Sequence, residues 1–146
     1  MRDYATEFRE FDKEFGTEAQ CRAYLFGLRW SEGFRCPECG YDKAWELNEI
    51  KYKCKRCRKQ TSLIAGTIFQ GTHRPLFCWF RAIWYVQAGG TDVGEMQWIA
   101  QLGSNNTALK WLRKLRQIML NSEQYRQNGK IAFDEFLQIA IDSKPI

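Results

Sequence analysis

Two matched cysteine pairs, Cys36-Pro37-Glu38-Cys39 and Cys54-Lys55-Arg56-Cys57, constrain this chain more than any other feature of it. The two residues inside each pair let one turn of backbone aim both sulfurs at a single point. The intervening stretch, residues 40–53, is long enough for a short hairpin that brings the second pair back to the first. Four thiolates complete the tetrahedral shell of Zn²⁺ and leave no position for water, so one ion held by Cys36, Cys39, Cys54 and Cys57 would be structural and not catalytic.

Disulfides are the competing use of such a set. The N-terminus is acidic and polar, without the apolar core of a secretory signal, and no apolar run approaches the length of a membrane span. Those features predict a cytoplasmic chain whose thiols stay reduced, which favours metal over disulfides. Cys21 lies on the apolar stripe of a helix and Cys78 just beside another, so both are expected to pack as small hydrophobes and not to bind the ion. His73, the only histidine, sits in a loop beside Arg74 and is expected to be an ordinary polar residue.

The chain has 146 residues, room for one ordinary domain or two small ones, and the metal site argues for two. Its net charge of +5 conceals a strong asymmetry. Residues 1–19 hold six acids against three bases, whereas residues 51–120 hold twelve bases and only two acids, Asp92 and Glu95. A basic middle in such a chain points to a polyanionic partner, most simply nucleic acid, although charge alone also fits a solvated surface.

Local patterns divide the sequence further. Residues 1–16 form an acidic N-terminal segment. Thr17-Glu18-Ala19-Gln20 has the form of a capping box, and Cys21, Tyr24, Leu25 and Leu28 follow at helical spacing, with an end expected near Gly27. Ala44–Leu47 and Ile50–Cys54 predict two short strands around Asn48-Glu49, and Lys59–Leu63 a third. A sheet this small buries too little surface to fold alone, so metal binding would supply much of its stability. Helix plus ribbon thus occupy residues 17–72. Pro75 suits the first position of the next helix, Leu76, Trp79, Phe80, Ile83 and Gln87 continue it, and Gly89-Gly90 ends it.

Residues 73–122 close on a helix-turn-helix pattern. Gly94–Leu102 predicts a short first helix, Gly103 a residue that permits the turn, and Ser104 or Asn105 a cap for the second helix. In that second helix Ala108, Trp111, Leu112, Leu115 and Met119 gather on one side, while Asn106, Lys110, Arg113, Lys114 and Gln117 fall on the other. Arg and Lys donate to guanine, Asn and Gln pair with adenine, and the remainder can hold phosphates, as a helix in the major groove requires. A merely solvated basic helix is the alternative, but no acid interrupts residues 96–122 to provide its usual intrahelical ion pairs. In the ribbon, Lys51, Lys53, Lys55, Arg56, Arg58 and Lys59 form a second basic cluster around the metal.

The order of these parts is informative. Cys21-Arg22-Ala23-Tyr24-Leu25, Leu28-Arg29-Trp30, Gly33-Phe34-Arg35-Cys36-Pro37-Glu38-Cys39-Gly40 and Tyr52–Ser62 resemble the zinc-ribbon start of IS1595-type (ISXO2-like) insertion-sequence transposases. So do Ala65-Gly66-Thr67-Ile68-Phe69, Thr72, Trp79-Phe80, Leu102-Gly103, Thr107-Ala108 and Leu115-Arg116, and the resemblance runs over residues 8–120. It implies recognition of double-stranded DNA at transposon inverted-repeat ends, and presentation of that DNA to a separate RNase H-like catalytic domain.

The resemblance changes character in residues 123–146. Gly129-Lys130-Ile131-Ala132-Phe133-Asp134-Glu135 is similar to the first strand of that catalytic domain, with Ala132 where an acid is usual. Asp134 would then be a vestigial first acid. Two-metal phosphoryl transfer needs several carboxylates converging on ions about 4 Å apart, and Asp142 lies too near in sequence to supply the others.

The expected fold is therefore α+β: a small Cys₄ zinc ribbon with a short antiparallel sheet, flanked by helices and followed by a helix-turn-helix region. The expected function is zinc-dependent DNA binding, the recognition part of a transposase lacking most of its catalytic domain, and not an enzyme. Its expected DNA contacts are Lys53, Lys55, Arg56, Arg58, Lys59, Asn106, Lys110, Arg113, Lys114 and Gln117. Two other readings stand beside it. One is a subunit or fragment of an active transposase, completed by another polypeptide or a frameshift product; the other is a zinc-ribbon module that binds protein. The apolar run Ile131, Phe133, Phe136, Leu137, Ile139 and Ile141 needs cover, either from the helices or from a second copy in a homodimer.

Overall fold

A computed structural model describes residues 4–144; residues 1–3 and 145–146, the ends of the first and last segments delimited above, lie outside it. Helix α1 (Tyr4–Phe15) is more than an acidic segment. Phe8, Phe11 and Phe15 fall at i, i+3 and i+7, so the helix turns one aromatic face inward, and Asp12 at its edge pairs with Arg81 at 3.0 Å. Phe11 lies 5.8 Å from the ring of Trp84 and 5.1 Å from that of Phe133.

Helix α2 (Glu18–Arg29) begins at the expected capping box: Thr17 Oγ1 accepts from the N–H of Gln20 (3.2 Å), and Gln20 Oε1 accepts from the N–H of Thr17 (3.0 Å). Cys21 and Leu25 are buried. The helix does not end near Gly27. A solvent-exposed glycine costs a helix only about 1 kcal/mol, and the chain continues helical to Arg29.

The sheet has the order β1 (Ala44–Glu46), β2 (Lys51–Cys54), β3 (Gln60–Ser62), antiparallel throughout. Ala44 pairs with Cys54, and Lys53 pairs with Trp45 on one side and Gln60 on the other. Its own buried core is only Phe34, Cys36 and Cys54. Two devices fasten it to α2. Phe26 and Trp30 pack their rings against Tyr52, at 5.6 and 5.5 Å, and Trp30 also meets Phe34 at 5.1 Å. Arg29 then donates through Nη1 to the carbonyls of Ser62 (3.0 Å), Leu63 (2.5 Å) and Ala65 (3.0 Å), where the chain leaves β3.

Helix α3 (Leu76–Gln87) is the axis of the helical body and is buried on nearly every side, including Trp79, Phe80 and the run from Ala82 to Val86. Around it pack α1, α2, α4 (Val93–Ile99), α5 (Asn105–Asn121) and α7 (Phe133–Ile141); α6 (Glu123–Asn128) follows α5. Trp79 of α3 and Trp111 of α5 stack with centroids 3.6 Å apart and planes at 14°. One core, running from Phe11 to Ile141, draws on all four segments delimited in the sequence.

Two local expectations are corrected. The residue that turns the chain between α4 and α5 is Gln101, with φ 56°, and not Gly103. What Gly103 provides is space, because a Cβ there would lie 3.2 Å from Nη2 of Arg74. Residues 129–135 also do not open a strand. Ile131 and Phe133 alternate like one, but Phe133, Phe136, Leu137, Ala140 and Ile141 follow the helical period, and that longer pattern prevails as α7. Phe136 and Leu137 are fully buried, and the N–H of Ile68 donates to the carbonyl of Ile141 (3.2 Å), so the chain's own helices cover this apolar run. Asp134 sits exposed in the first turn of α7.

Candidate metal centre and nucleic-acid interface

Each cysteine pair is shaped by the same short turn. In the first, the N–H of Gly40 donates to the carbonyl of Cys36 (2.9 Å) and the N–H of Cys36 to that of Tyr41 (2.9 Å). In the second, Arg58 N–H donates to Cys54 (3.1 Å) and Cys54 N–H to Lys59 (2.9 Å). Both turns close with a left-handed residue four places after the first cysteine, Gly40 at φ 77° and Arg58 at φ 66°. Pairing of Ala44 with Cys54 then brings the two turns face to face.

The sulfurs of Cys36, Cys39, Cys54 and Cys57 lie within 4.8 Å of one another, with Cys36 to Cys57 at 3.5 Å and Cys39 to Cys54 at 3.6 Å. A tetrahedron with sulfurs about 2.3 Å from its centre has edges of about 3.8 Å, so the set suits one Zn²⁺. The same separations are far beyond a disulfide, and all six cysteines are free. Electrostatics agree. Burial opposes a thiolate at Cys54, but the backbone N–H groups of Cys57 and Arg56 overcome it and bring its pKa down to about 6. The backbone at Cys39 likewise lowers Cys36. At Cys57 the backbone N–H of Lys59 favours the thiolate, yet burial and the three neighbouring sulfurs push the thiol up to about 12. Four thiolates can share this space only around a cation that offsets their charge. Among the described residues this is the one group of three or more His, Cys, Asp or Glu side chains able to hold a metal.

The cluster closes a ribbon whose parts and spacing match a known domain. Residues 16–60 match the transposase zinc-ribbon domain family. Over 128 residues, 85% of its length, the chain is also 23% identical to an uncharacterized protein in transposable element ISH50 of Halobacterium salinarum, and it spans 43% of that protein's length. No solved structure matches it. The zinc ribbon's ion is structural: the four cysteines would fill its shell, and its chemistry would be to fix the two turns.

Basic side chains surround the ribbon unevenly. Lys55, Arg56, Arg58 and Lys59 are exposed, whereas Lys53 is half-buried within β2. Arg56 lies over the ring of Tyr41 (4.6 Å) and Lys55 over that of Trp45 (5.9 Å), while Lys59 pairs with Glu38 at 3.3 Å.

On α5 the inner face carries the buried Ala108, Trp111, Leu112, Leu115 and Met119. Asn106, Lys110, Arg113 and Gln117 are exposed at i, i+4, i+7 and i+11, one continuous outer stripe, and Lys114 is half-buried at its edge. Ser104 caps the helix, its Oγ accepting from the N–H of Thr107 at 3.2 Å. Helix α4 is held by Asp92, which caps it at the N–H of Glu95 (2.8 Å), and by Tyr85, whose hydroxyl accepts from the N–H of Asp92 (3.0 Å). Sequence reasoning missed three residues of this region. Arg29 fastens α2 to the end of β3, and Gln70 and Arg74 line a groove beside α5; a base in a Gly- and Thr-rich loop directly before a helix was the available signal for Arg74. Among the described residues no helix is long and apolar enough to cross a membrane.

Proposed function

We propose that this chain is a sequence-directed, double-stranded-DNA-binding protein acting in the cytoplasm: the DNA-recognition part of an insertion-sequence transposase, with transposon inverted-repeat ends as its target. The observation that carries the reading is the outer stripe of α5. Four exposed side chains able to read bases or hold phosphates, Asn106, Lys110, Arg113 and Gln117, stand in line on a helix whose opposite face is locked into the core. No acid between residues 96 and 122 competes for them. The exposed Lys55, Arg56 and Arg58 of the ribbon add a second basic surface on a rigid frame. In this reading α5 enters the major groove, α4 braces it, and the ribbon bears on phosphates. Asp134, at the exposed start of a helix, has no catalytic part.

The test is fluorescence anisotropy of the zinc-loaded protein with duplexes carrying the DNA that flanks its coding sequence, against shuffled duplexes, over a salt series. Neutralising about six phosphates gives a slope near −5 for log K against log salt. A steep slope with preference for the flanking DNA is the expected result. A steep slope without preference would reduce the protein to a polyanion binder, and no binding at low salt would overturn the reading.

A further inference from the structure

Beside the first turns of α5 runs a groove of about 440 Å³. Gln70, His73 and Arg74 line it from the loop before α3, Thr107 and Lys110 from α5, and Trp79 and Trp111 from between them. Nothing in the α5 stripe accounts for it. We propose that this groove seats the sugar-phosphate backbone of one DNA strand, with Arg74 and Lys110 on its phosphates, while Arg113 and Gln117 further along α5 meet base edges. The proposal rests on the DNA-binding reading and extends it.

Charge is the first argument. No acid lines the groove, and among the described residues neither Arg74 nor Lys110 is paired with a carboxylate. Two unpaired cations lining one cleft favour an anion between its walls, and a phosphodiester is the anion a duplex offers.

The walls are also fixed in place. Thr72 Oγ1 accepts from Nε1 of Trp79 (2.9 Å) and from the N–H of Arg74 (3.1 Å). Trp79 in turn stacks on Trp111 of α5. The loop is thereby spaced from α5 by a chain of direct contacts, Thr72 to Trp79 to Trp111. Arg74 reaches over Gly103 to the turn before α5, where a Cβ would lie 3.2 Å from its Nη2 and press the guanidinium aside by a few tenths of an ångström. The backbone that carries both cations is thus in place before the strand arrives.

Phosphate contacts and base contacts leave different signatures, which decides the test. In the zinc-loaded full chain, Arg74→Ala should weaken binding roughly ten-fold for flanking and shuffled duplexes alike. It should also make the salt slope shallower by about 0.9, one released counterion. Arg74→Lys, which keeps the charge, should restore most of the slope. Arg113→Ala should instead erode the preference between the two duplexes. If Arg74→Ala and Lys110→Ala both keep the parent slope and affinity while Arg113→Ala still erodes preference, the backbone seat is wrong and the DNA-binding reading stands. If the parent chain binds neither duplex, the DNA-binding reading itself falls.

Discussion

The carboxylate of Glu18 accepts the N–H of Leu76 at 2.9 Å and, through its other oxygen, that of Phe77 at 3.0 Å. Glu18 opens α2, yet it caps α3, whose own N-cap is Pro75 and offers no side-chain acceptor. An anion at that end also meets the positive pole of the helix. Glu18→Ala should therefore cost about 1–2 kcal/mol in urea unfolding, as loss of a good N-cap does. Glu18→Gln, which keeps an acceptor and loses the charge, should recover part of that. Equal stability for Ala and parent would show that water caps α3 as well as Glu18 does.

This contact also marks the limit of reading the sequence. Features set by residues close in the chain were legible: the capping box at Thr17, the four metal ligands, three short strands, and the helices flanking the turn at Gln101. The stripe of α5 was legible because burial and period agree along one helix. What failed depended on partners distant in sequence. Phe8, Phe11 and Phe15 make α1 part of the core only because α3 and α7 are there to receive them. Glu18 stood in the sequence as part of the capping box and Arg29 lay past the expected helix end, yet the fold brings α3 to the one and the end of β3 to the other. At residues 129–135 a resemblance to a strand misled, because the helical period of Phe133, Phe136, Leu137, Ala140 and Ile141 prevails.

Removing the metal should loosen the ribbon and spare the helices. The ribbon's own core is three residues, two of them ligands, whereas the helical core extends from α1 to α7 around α3. With a strong chelator, hydrogen exchange should show amides of β1, β2 and β3 losing protection while those of α3 keep it, with most of the helical circular dichroism retained. Cys54→Ser should do the same without chelator. Collapse of α3 protection together with the ribbon would mean that the Arg29 clamp and the Tyr52 contacts join both parts into one cooperative unit.

Alkaline pH should destabilise the fold through Cys21. Burial first, and then the charge of Glu18, push its thiol up from 9.0 to about 12. Between those values the unfolded chain releases the proton and the folded chain retains it. Stability is thus complete below pH 9 and falls as pH rises towards 12, by at most about 1.4 kcal/mol per pH unit for this one group. Cys21→Ala should flatten the decline between pH 9 and 11 in thermal melts, leaving the smaller effects of Cys78 and of Tyr24, Tyr52 and Tyr85, whose pKa values burial also raises. An unchanged slope would place the alkaline sensitivity elsewhere.

Arg58 occupies the left-handed position of the second cysteine turn, φ 66°, where the first turn uses Gly40 at φ 77°. A side chain in that conformation costs of order 1 kcal/mol, and glycine would avoid it. Arg58→Gly should then raise the stability of the metal-loaded ribbon by up to about 1 kcal/mol, offset in part by the looser unfolded chain, while Gly40→Ala should lower it. The two can be compared by chelator competition for the metal. If Arg58 is kept for its charge, the same Arg58→Gly protein should bind duplex DNA more weakly and with a shallower salt slope, so that stability and affinity move in opposite directions. Gain of stability with no loss of affinity would remove Arg58 from the DNA-facing surface and leave its backbone conformation without a functional reason.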